Sequence, residues 1–237
     1  MNRARAVRLL VPAAASATGL TLGAVFLVVA RVRGSKPLHP DGIVLPATIQ
    51  LTATDDVHGA RELGSPRRLQ AVVRLSRSAG LPDGWPDVHG IAIRWEHEGQ
   101  HQDVLLSSSG LGRVSRFLLV PRRAPLSGPY STLMPFQGED GPVLLAAVPE
   151  RRGKSQVARG PQRTQDVTSL DLVLLTARPG GRWHRLGHLV AEALERPHDV
   201  PLRFDPVANC PDGLATYGWL ARLRRPAYRA ARAGFTA

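Results

Sequence analysis

From Gly42 onward the chain is a succession of short runs rich in Val, Ile, Leu and Thr, each stopped by Gly, Pro or Asp. The runs "GIVLPATIQLTAT" (Gly42 to Thr54), "RLQAVVRLS" (Arg68 to Ser76), "GIAIRWE" (Gly90 to Glu96) and "DVLLSSS" (Asp103 to Ser109) come first. "RVSRFLLV" (Arg113 to Val120), "PVLLAAV" (Pro142 to Val148) and "LDLVLLTAR" (Leu170 to Arg178) follow, and "RWHRLGHLV" after Pro179-Gly180-Gly181 reads as the second arm of a hairpin. Segments of this length and composition, punctuated at this rate, predict strands rather than helices. The expected fold is mainly β within an α+β class: an antiparallel sheet closed into a barrel, with peripheral helices. Helix is expected from Pro226 onward, where proline suits a first helical turn. The polar, basic stretch Pro149 to Asp166 reads as an exposed loop rather than a domain boundary.

Within this pattern lies "WEHEGQH", where His97, Glu98 and His101 spell the H-E-x-x-H of zinc proteases. That motif works only on a helix, where residues four apart share a face. Here it sits between two strand-like runs with Gly99 at its centre, so a hairpin turn is expected and no zinc site. His184 and His188 also lie in a strand-like run and meet the same objection. Asp55-Asp56, Glu139-Asp140 and the His198-Asp199 pair are the small acidic groupings, and none has metal-ligand spacing.

Before the β pattern, Leu9 to Ala30 runs 22 residues without a charge, enough to cross a bilayer as a helix. It reads as a membrane anchor or a signal, and a helix packed on the domain is the alternative. Arginines flank both sides, so no orientation follows. The organisation is therefore an N-terminal hydrophobic segment, 1–37, and a barrel domain, 38–237. The protein is expected at a membrane through 9–30, or in the cytoplasm if that segment packs on the domain. The formal charge of +12 arises from an arginine-rich composition, since Lys36 and Lys154 are the only lysines among 31 cationic residues. The arginine pairs are scattered and lack interleaved aromatics, which argues against specific nucleic-acid binding. The single Cys210 excludes an internal disulfide.

Taken in order, four stretches resemble haem catalases and the smaller catalase-related peroxidases. "LHPDGIVLPATIQLT" resembles the start of the family's barrel, where a distal His, two residues and a Gly lead into the first strand. "VVRLSRSAG" resembles the strand that backs the distal His. "PDVHGIAIRWEHEGQHQDVLLSSSG" resembles the Asp-x-x-Gly hairpin that ends in Asp-hydrophobic-hydrophobic before a distal Asn. "RLRRPAY" resembles the proximal R-x-x-x-Y. The likeness covers about 39–109 and 201–233.

The resemblance implies haem, with Tyr228 as axial ligand, its phenolate stabilised by Arg224. It implies His39 as the acid–base group, Ser76 holding the His39 ring, and Arg74 and Lys36 near the haem propionates. Ser107 stands where the family has its distal Asn, which points away from fast catalase turnover and towards peroxidase-like chemistry. Pro226 lies between Arg224 and Tyr228, aromatic residues are scarce, and the middle of the family fold is shortened, as in a reduced, divergent member of actinobacterial type. Two functional classes follow. One is a haem-dependent enzyme acting on peroxide or an organic small molecule. The other is a haem-free barrel serving as a hydrolase, such as a phosphodiesterase, or as a membrane-proximal binding module.

Overall fold

The computed structural model describes residues 42–55, 57, 60–78, 84–150, 163–192 and 202–219, all within one compact unit, His39–Ala237. Their strands are β1 (Gly42–Leu51), β2 (Arg67–Arg77), β3 (His89–His97), β4 (Gln100–Ser108), β5 (Tyr130–Ser131), β6 (Phe136–Gly138), β7 (Gly141–Pro149), β8 (Ser169–Ala177), β9 (His184–Glu192) and β10 (Leu214–Ala215). Helical structure among the described residues is slight: α1 (Arg61–Gly64) and single 3-10 turns at Ser115–Phe117 and Thr164–Asp166. The helix expected from Pro226, and the hydrophobic segment 9–30, lie outside the described residues. Among those described, no helix is long and apolar enough to cross a membrane.

Every pairing is antiparallel, and the order β7–β5–β4–β3–β2–β1–β9–β8 closes through a β7–β8 pairing, with β6 and β10 extending from β7. Residues two apart along a strand share a face, so the alternation in the sequence sets the inside of the barrel. Ile43, Leu45, Ile49 and Leu51 of β1, Val73 and Leu75 of β2, and Ile91, Ile93 and Trp95 of β3 form that buried lining. Packing leaves a cavity of only about 40 Å³ among them, edged by Leu51, Trp95, Leu106 and Leu186. This is space for a few waters at most, so the interior is core and not a ligand chamber.

Seven of the eight predicted runs are strands, and the short β5 (Tyr130–Ser131) was not anticipated. Arg113–Val120 was expected to be a strand, and the structure corrects this to a loop carrying the 3-10 turn at Ser115–Phe117. The cause is Arg116, which is buried although charged. Its guanidinium donates to the carbonyls of Leu111, Gly112 and Arg178 and lies 4.7 Å over the Trp183 ring. Winding the backbone around the arginine satisfies donors that a flat strand would leave bare.

Near the start of β3 a second buried polar group shapes the barrel end. His89 is 3% exposed, and its Nε2–H donates to the carbonyl of Arg122 at 3.0 Å. Its Nδ1 is buried without a hydrogen-bond partner. Asp87 bridges backbone to backbone with Arg122, and Arg77 Nε lies 3.6 Å from Asp87 Oδ2. The Arg122 guanidinium donates to the carbonyls of Pro129 and Ser109 and lies 5.7 Å over Tyr130. Burial lowers the His89 pKa from its ordinary 6.5, outweighing the opposing backbone bond to Arg122 and the field of Asp87. Folded His89 is therefore neutral where the unfolded residue begins to charge, and the unfolded state binds more protons below that point. Stability should fall as pH drops below about 6.5 and level off once the folded group also protonates. Denaturant midpoints measured from pH 8 to pH 5 should show this slope, and His89→Gln, which keeps a side-chain donor but cannot titrate, should flatten it.

Candidate functional site on the outer wall of the barrel

Register places the sequence-predicted residues of β1 to β4 in rows across the outer wall. Gly42 is opposite Ser76, Ser76 opposite Gly90, and Gly90 opposite Ser107. Their chain neighbours Ile43, Leu75, Ile91 and Leu106 all point inward, so this row faces out. It is flat, because none of its side chains extends beyond a hydroxymethyl group. The next row is Val44, Arg74, Ala92 and Leu105, half-buried and apolar except for Arg74. Arg74 bends back over the first row: a Cβ on Gly42 would stand 2.6 Å from Arg74 Nη2 and 2.8 Å from its Cζ. Glycine at the mouth of β1 is what lets that guanidinium lie against the sheet.

One row further on, Pro46, Val72, Arg94 and Asp103 line up. Asp103 has no exposed surface, and Arg94 grips it through two bonds of 2.7 Å, Nε to Oδ1 and Nη2 to Oδ2. That bond raises the Arg94 pKa further. The carboxylate also accepts the backbone N–H of Asp205 at 2.7 Å and the Asn209 amide at 2.8 Å. The N–H of Asp103 in turn donates to the carbonyl of Asn209 at 2.6 Å. Arg94 completes the joint by stacking 4.9 Å over Phe204. Asp205 caps the turn beyond, accepting the N–H groups of Val207 and Ala208 at 3.1 Å. Residues 202–219 are thus fastened to the wall that carries Ser76, Arg74 and Ser107, and the chain continues from there towards Arg224 and Tyr228.

Three solved structures share this architecture. A bacterial catalase superposes with a TM-score of 0.55 at 13% identity, over 87% of this chain and 59% of its own. A fungal catalase gives 0.52 at 13%, over 81% of this chain and 58% of its own. Catalase A of Saccharomyces cerevisiae gives 0.57 at 11%, over 87% of this chain and 63% of its own. The barrel is catalase-like. The chain spans about six-tenths of the length of these catalases. No protein-family profile and no curated protein sequence matches it.

Of the residues that the resemblance assigns to a catalase-like site, Ser76, Arg74 and Ser107 lie together on one wall. His39, Lys36, Arg224 and Tyr228 fall outside the described residues. The H-E-x-x-H occupies the β3–β4 turn, with Glu98 at φ 50° and Gly99 at φ 72°. His97 is opposite Gln100 and His101 opposite Glu96, so alternation sends the two imidazoles to opposite faces of the sheet.

Two groups were missed by reading the sequence. The Asp103–Arg94 joint is one, although a signal for it existed: a hairpin turning on Glu98-Gly99 must pair position 94 with 103. The other brings His188 of β9 between two carboxylates, Glu150 and Asp171. Spacing along the chain could not show this group, because strand pairing assembles residues whose positions in the chain have no local relation.

Proposed function

We propose that this chain is a reduced, actinobacterial-type haem protein that handles peroxide on the outer wall of its barrel, with peroxidase-like rather than fast catalase activity. The observation carrying this reading is that Ser76, Arg74 and Ser107, the three described residues of the seven implied, lie on one half-buried wall, and that residues 202–219, which precede Tyr228 in the chain, are fastened to the same wall. The wall suits a planar macrocycle. The Gly42–Ser76–Gly90–Ser107 row leaves room for a ring, Val44, Ala92 and Leu105 offer it apolar contact, and Arg74 supplies a cation for a propionate. Haem, when bound, would supply the redox-active iron. Tyr228 would hold it from one side through a phenolate, which needs the positive charge of Arg224 because a free phenol ionises only near pH ~10.

The protein's own groups would then manage the proton. His39 accepts one from peroxide and returns it to the departing oxygen, with Ser76 keeping the ring in place. Ser107 offers a single short donor where a longer amide would reach further, so peroxide is oriented less firmly. Arg74 and Lys36 would balance the propionates. Residues 9–30 would hold the domain at a membrane, motivated by their uncharged length. Recovery of the uncleaved full chain wholly in the soluble fraction would contradict this membrane role.

Hemin titrated into the purified full chain should give a Soret band, and Tyr228→Phe should abolish it while leaving the circular dichroism of the barrel unchanged. His39→Ala should keep the band and lose peroxide turnover by ~10²–10⁴-fold, the usual worth of a positioned acid–base group. Ser107→Asn should raise catalase activity relative to peroxidase activity. A chain that stays colourless with hemin overturns the proposal and leaves the haem-free barrel.

A further inference from the structure

Away from that wall, the closing strands of the barrel carry a side-chain cluster that the haem reading does not use. His188 lies opposite Val173 on β8, and Asp171 stands two residues earlier on the same face. Glu150 follows the end of β7, and its N–H donates to the carbonyl of Asp171 at 2.8 Å. The His188 side chain is 11% exposed, with Asp171 and Glu150 at 22% and 32%. Ligand atoms of all three lie within 4.8 Å of one another.

The two carboxylates treat the imidazole differently. Glu150 Oε2 accepts a hydrogen bond from His188 Nε2 at 2.6 Å, which in the neutral ring leaves the lone pair on Nδ1. Asp171 Oδ1 lies 3.0 Å from that Nδ1, as an ion-pair contact. At that distance the two atoms share a cation, either the proton of an imidazolium or a metal ion. Atoms that each bind a zinc-sized ion at 2.0–2.2 Å, at angles between octahedral and tetrahedral, stand about 3.0–3.4 Å apart. The Nδ1–Oδ1 distance matches such a bite, and a carboxylate on the far ring nitrogen is the usual partner of a metal-bound histidine.

We propose that His188 Nδ1 and the Asp171 carboxylate bind a divalent first-row transition ion, with Glu150 as the positioning residue that fixes the tautomer. A borderline nitrogen with a hard oxygen suits zinc and cobalt better than calcium or magnesium. Water completes the coordination, leaving the ion open to a small anionic or carbonyl ligand.

The test uses the full chain, stripped with chelator and titrated with zinc chloride by calorimetry and with cobalt chloride by visible absorption. One ion per chain is expected, with a rise in melting temperature on loading. Asp171→Asn and His188→Gln should each remove binding, and Glu150→Gln should weaken it by about 10–100-fold, the usual effect of losing a supporting carboxylate. His101→Ala, on the exposed turn, should leave affinity unchanged. If His188→Gln fails to fold, Asp171→Asn alone decides. A parent chain that binds no zinc overturns the proposal and makes the cluster a protonated histidine bridging two acids. Binding that persists in Asp171→Asn overturns it equally.

Discussion

Asp103 has no exposed surface, and a carboxylate taken out of water survives there only if its charge and lone pairs are met. Here they are met by Arg94 from the paired strand and by Asp205 and Asn209 from the far end of the chain. Removing one partner from a buried ion pair typically costs about 3–5 kcal/mol. Apolar burial of Leu214, the segment's residue in the main core, contributes about 2 kcal/mol by comparison. Two β10–β6 residue pairs add little. The attachment of residues 202–219 to the barrel thus combines a buried, hydrogen-bonded charge pair with apolar burial.

This constraint separates two parts of the molecule. The barrel closes on its own through continuous antiparallel pairing and an inside packed with aliphatic side chains. The segment beyond it is fastened by its joint with the β3–β4 hairpin, together with the β10–β6 pairs and Leu214.

Much of this was legible in the sequence. The barrel strands follow from two-residue alternation bounded by turn residues, and the β3–β4 turn follows from Gly99, whose positive φ favours a residue without a side chain. Arg113–Val120 misled because alternation alone cannot reveal that Arg116 turns inward to bond three carbonyls. The Asp103–Arg94 pair could be found by reflecting the strands about the turn, yet its partners Asp205 and Asn209 could not, since nothing local links them to the hairpin. Glu150, Asp171 and His188 were hidden for the same reason. Ser76, Arg74 and Ser107 were named by resemblance, and register explains why they belong together: each lies on the outward parity of its strand.

Hydrogen exchange followed by mass spectrometry, comparing the full chain with its Asp103→Asn variant, tests the dependence on this joint most directly. Asparagine keeps the shape but removes the charge and presents a donor to donors. Peptides from 202–219 should exchange faster by ~10²-fold, the kinetic equivalent of about 3 kcal/mol of lost local stability, while β1, β2, β8 and β9 keep their protection. Unchanged exchange in 202–219, or an equal loss of protection throughout the barrel, would contradict the account.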